Sequence, residues 1–86
     1  MVKSERRPGD PIEEVVRIYR GLQIKVYVYE VEGGKYLARG DVVVRHGTQF
    51  GFSAGQDELT LEAAKERGFQ RGVEEADKYL SDRISD

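Results

Sequence analysis

The chain contains one histidine, His46, flanked by Arg45 and Gly47, and no cysteine. Thiol catalysis, disulfides and thiolate zinc sites are therefore excluded. A metal or catalytic role for His46 needs partner ligands at metal-binding spacing. None stands near it in the sequence, so it reads as a solvent-facing turn residue. Glu74, Glu75 and Asp77 make an acidic cluster, but Arg71 and Lys78 lie three or four residues away. On a helix that spacing gives ion pairs on a solvated face. Ser4, Ser53, Ser81 and Ser85 lack the Gly-x-Ser-x-Gly context of a nucleophile elbow. Gly33-Gly34 is too short for a phosphate-cradling loop. The reading is a non-enzyme with no cofactor and no metal.

Lys25, Tyr27, Tyr29, Leu37 and Arg39 form a different constellation. Tyrosines interleaved with basic residues on an open sheet can stack on bases and neutralise phosphates. Tyr, Leu and Arg also suit a protein interface, and cross-strand Tyr–Lys pairs stabilise ordinary sheet surfaces. Self-association, giving a homodimer, is the preferred reading. Nucleic acid is the alternative, and an unidentified protein partner remains open.

These residues need strands to hold them. Leu22, Ile24, Val26 and Val28 alternate with Gln23, Lys25, Tyr27 and Tyr29, the period of a half-buried strand. Gly21 reads as a bulge joining this run to Val15–Tyr19, itself rich in β-branched and aromatic residues. Asp10-Pro11 with Glu13 fits a helix start, so a helical turn before Val15 stays open. Gly33-Gly34 predicts a tight hairpin turn. Lys35–Arg45 is the second strand, with a register switch at Gly40-Asp41 because Leu37 and Val43 break the parity of Tyr36, Ala38, Val42 and Val44. His46-Gly47 turns into a third strand, Thr48–Ser53.

From Leu59 or Thr60 to about Leu80 the period becomes helical, capped by Asp57 or Thr60. Ala64, Gly68, Gly72 and Ala76 form a ladder of small residues at a step of four. Each glycine costs a helix roughly 1 kcal/mol relative to alanine. Close packing on the domain's own sheet, or on a helix across a dimer, would offset that cost.

The 86 residues suffice for one small domain, 38% apolar and 35% charged, with net charge −2. Residues 57–86 hold nine acidic side chains against five basic ones, so that end repels polyphosphates. No apolar run is long enough to span a membrane, and Met1–Pro8 does not resemble a secretory signal. A cytoplasmic location is expected. The expected architecture is α+β: a three-stranded antiparallel β-meander (residues 11–82 with its C-terminal amphipathic helix on one face), a flexible arm over 1–10 and a tail over 83–86.

Tyr19-Arg20-Gly21 with Ile24, Lys35-Tyr36-Leu37-Ala38, and Leu61 to Leu80 with Gly68 and Gly72 resemble a family of small uncharacterised bacterial domains. That resemblance implies a strand meander followed by a helix and brings no activity with it. Tyr36-Leu37-Ala38 and Leu61-Glu62-Ala63-Ala64 are also similar to the second strand and helix start of HicB-type antitoxins, which implies an antitoxin-like regulator. The double-stranded RNA-binding domain resembles the chain in topology if residues 11–20 are helical.

Overall fold

The structure, a computed structural model, describes residues 10–44 and 47–84. Most of the expected arm and His46 lie outside the described residues. Four strands, β1 (Glu13–Tyr19), β2 (Leu22–Val31), β3 (Lys35–Val43) and β4 (Gln49–Ser53), precede one helix, α1 (Leu61–Ile84). They form a single antiparallel sheet in the order β1-β2-β3-β4. The class is the expected α+β, but with four strands instead of three.

The fourth strand comes from Arg20-Gly21. Both residues have positive φ, 53° and 84°, the backbone of a two-residue type I′ hairpin turn. Tyr19 consequently pairs with Leu22, and Glu13 with Val28. Arginine in the left-handed region is uncommon, so an expected bulge is in fact a reversal of the chain. Residues 11–14 contain no helical turn.

The expected register switch in β3 is also absent. Its pairing with β2 runs without interruption from Gln23↔Val43 to Val31↔Lys35. Tyr36, Ala38, Gly40, Val42 and Val44 therefore share one face, while Leu37 and Val43 sit on the other, partly exposed. Gly40 has a packing role. A Cβ there would run into the Lys25 main-chain carbonyl on β2 and lie 2.6 Å from the Phe52 ring, so the glycine makes room both for the neighbouring strand and for the aromatic residue directly across from it.

The core is Leu22, Ile24, Val26, Val28, Ala38, Val42 and Val44 from the sheet, with Ala64, Phe69 and Ala76 from the helix. The small-residue ladder faces this sheet. A Cβ on Gly68 would sit 2.8 Å from Val26 Cγ1 and 2.9 Å from the Ala38 Cβ. One on Gly72 would sit 2.5 Å from Ile24 Cγ2 and 3.0 Å from the Phe52 ring. Close approach to the sheet thus offsets the helical cost of both glycines. Thr60 caps α1: its Oγ1 accepts from Ala63 N–H at 3.1 Å. The helix continues past Leu80 to Ile84, into the segment expected as a tail. No helix among the described residues is long and apolar enough to cross a membrane.

Candidate functional site

The helix packs on β2 and β3 and reaches β4, so one face of the sheet is roofed and, among the described residues, the other is bare. Cross-strand partners share a face. The register therefore places each expected site residue on the bare side: Lys25 opposite Asp41, Tyr27 opposite Arg39, Tyr29 opposite Leu37. These five residues form two adjacent columns on neighbouring strands. Arg39 is exposed, and Lys25, Tyr27, Tyr29 and Leu37 are half-buried among their neighbours.

At the β3–β4 side of this face lies a shallow depression of about 370 Å³ bordered by Tyr27, Tyr29, Arg39, Asp41 and Ser53. It exists because Gly51, the partner of Asp41, contributes no side chain. A Cβ at Gly51 would approach Asp41 Oδ1 to 3.4 Å. Burial raises the pKa of the Tyr27 hydroxyl above the ordinary 10.0, reinforced by the negative charges of Asp41 and Glu14 and by a hydrogen bond to Asp41. Tyr27 therefore stays a neutral donor across the physiological range.

The structure adds two residues that the sequence reading left off this face. Val16 pairs with Lys25, and Ile18 with Gln23, which brings both to the bare side at 45% and 66% exposure. The signal was present in Arg20-Gly21, an X-Gly pair between two alternating runs.

The opposite side of β1 meets the helix through polar and cation–π contacts. Lys65 Nζ donates to Glu13 Oε2 at 3.1 Å. The Arg17 guanidinium lies 4.1 Å from the Phe69 ring centroid. The Tyr19 hydroxyl donates to Asp77 Oδ1 at 2.9 Å, and Arg20 reaches the same oxygen at 3.1 Å. These contacts fasten an overhanging strand without burying it.

Of the expected solvated cluster Glu74, Glu75 and Asp77, only Glu74 is exposed; the other two are half-buried. Arg71 pairs with Glu74 at 3.3 Å and Glu75 at 2.6 Å, and Asp77 is taken by Tyr19 and Arg20. Among the described residues no group of three or more His, Asp or Glu is arranged to hold a metal ion. No family model, curated protein or solved structure matches this chain.

Proposed function

We propose that the chain is a non-catalytic protein-interaction module that self-associates through the bare side of its sheet. The supporting observation is the continuity of that side. Val16 and Ile18 on β1, Lys25, Tyr27 and Tyr29 on β2, and Leu37 and Arg39 on β3 adjoin one another by register, and no element among the described residues covers them. Aromatic, aliphatic and arginine side chains interspersed in this way match the composition of interface cores.

The nucleic-acid alternative draws on Lys25, Lys35 and Arg39. Glu14 and Asp41 share their face, however, and Asp41 stands beside Tyr27 where a phosphate would pass. An antitoxin-like regulator would use the same residues.

Light scattering over a wide concentration range tests the preferred reading. A mass that grows beyond one chain supports it, and a single-chain mass throughout overturns it. The double variant Tyr27→Ala, Tyr29→Ala should weaken association while the far-ultraviolet circular dichroism stays native. Filter binding at two salt concentrations tests the alternative. Retention of RNA or DNA that falls steeply with salt would put nucleic acid in place of self-association.

A further inference from the structure

Main-chain groups point alternately to the two sides of a strand. Val44 N–H donates to Thr48 C=O and Ala54 N–H to Ala38 C=O, so the even-numbered residues of β3 face β4. Carried across the sheet by the printed registers, the odd residues of β3 and β2 bond each other and the even residues of β2 bond the odd residues of β1. Val28 C=O, accepting from Ile12 N–H, confirms that the even residues of β2 face β1; Ile12 itself precedes β1 and stands outside its alternation. The even residues of β1 (Glu14, Val16 and Ile18) thus aim their N–H and C=O groups outward, at an edge with no neighbouring strand among the described residues. The same residues place their side chains on the bare face, where Val16 and Ile18 are the exposed aliphatics.

We infer that this edge takes a second copy of the chain, whose β1 adds antiparallel with Val16 opposite Val16, joining the two sheets into one. The inference rests on the self-association reading but moves the contact from the bare face to its β1 border: the two bare faces then adjoin side by side, Tyr27 and Tyr29 on β2 stay outside the contact, and loss of the dimer in the Tyr27→Ala, Tyr29→Ala variant would put the contact back on the face.

Charge favours this occupant. β1 and its turn are acidic at the start (Glu13, Glu14) and basic at the end (Arg17, Arg20). An antiparallel copy lays the acidic end of one against the basic end of the other. A two-fold axis normal to the sheet allows a few centres. Centring on Arg17 would set two guanidiniums directly opposite, which is unfavourable. Centring on Val15 would leave Ile18 outside the paired strand. Centring on Val16 uses all three outward residues of each copy, about six main-chain hydrogen bonds. It sets Glu14 against Ile18, Val15 against Arg17, and Glu13 against Tyr19 with Arg17 on the diagonal; no like charges stand directly opposite. The axis keeps both helices on the same side, and α1, seated over β2 and β3, leaves the approach to β1 open.

Amide hydrogen exchange on the full chain, measured alongside sedimentation over a concentration series, tests the inference. The expected result is a concentration-dependent dimer in which the Glu14, Val16 and Ile18 amides gain about tenfold or more protection, while Gln49, Gly51 and Ser53 on the other edge do not. Val16→Pro should yield a folded monomer, because it removes an outward N–H that the chain itself does not use. If that variant fails to fold, Ile18→Lys serves the same purpose. A dimer whose Glu14, Val16 and Ile18 amides stay unprotected would overturn the edge arrangement and leave self-association standing. A single-chain mass at every concentration would overturn both.

Discussion

The sheet ends in two different edges. β4 is five residues long, and the alternation that exposes Glu14, Val16 and Ile18 on β1 exposes Gln49, Gly51 and Ser53 on β4. Two polar side chains around a glycine offer an incoming strand little to bury. Past β4 the chain stays beside β3, where Tyr36 and Glu58 exchange main-chain hydrogen bonds of 2.8 and 2.7 Å, so that end of β3 is not left open. β1 has seven residues, no proline and exposed aliphatics. The inner sides differ as well. β4 sends Phe50 and Phe52 toward the helix, whereas β1 sends Glu13, Val15, Arg17 and Tyr19. One edge is fixed mainly by aromatic burial and presents polar groups outward. The other is held largely by charged contacts and presents aliphatic groups outward. Natural sheets blunt their edges against pairing, and here the blunting is one-sided.

Substitutions can break this contrast. Phe52→Ala should have the largest effect, about 3 kcal/mol in chemical denaturation, because the ring fills the space over Gly40 and against Gly72. Gly72→Ala comes next. On an exposed helix face it would stabilise by up to about 1 kcal/mol; against Ile24 and Phe52 it should instead destabilise by roughly 1–3 kcal/mol. A gain in melting temperature would show that the helix stands off the sheet. Arg17→Ala should cost only about 0.5–1 kcal/mol and should speed amide exchange in β1 without affecting β4. A loss as large as that for Phe52→Ala would erase the distinction between the edges. The smallest effect concerns pH. Tyr27 is raised above its ordinary 10.0 by burial and by Asp41 and Glu14, and Lys65 above 10.5 by hydrogen bonds to Glu13 and Glu62. Each folded pKa exceeds the unfolded one, so both contributions are complete below about pH 10 and fade as pH rises through the folded values. A pH-dependent melting series should decline there, and Tyr27→Phe should flatten part of the decline.

The alternation of Leu22 to Tyr29 was legible in the sequence because one residue in two is apolar and the other polar. It placed Lys25, Tyr27 and Tyr29 together and, with Leu37 and Arg39, the face they share. The helix and its small-residue strip were legible for the same kind of reason. Two glycines misled. Gly21 reads as a bulge because its turn partner is arginine, which seldom adopts positive φ. Gly40 reads as a register switch because Leu37 and Val43 are apolar on the bare side, and the clashes it avoids involve the Lys25 carbonyl and Phe52, both remote from it in sequence. Turn handedness and cross-strand contacts depend on partners that no local window contains. That is why Val15–Tyr19, legible as strand, separated into its own β1 with Val16 and Ile18 on the bare side only in the fold.

The helical roof over the sheet is also synthesised after every strand that it covers. Every strand pairs with its predecessor, so the hairpins can close within microseconds of becoming free. Ile24, Val26, Val28 and Val42, the largest fully buried side chains among the described residues, must nonetheless wait for Leu61–Ile84. At ordinary translation rates roughly 2–8 s separate the completion of Val42 from that of Ile84. During that interval the nascent sheet shows water an aliphatic surface that the mature protein hides. Slowing synthesis between β4 and α1 should therefore raise the aggregated fraction without altering the stability of the finished fold.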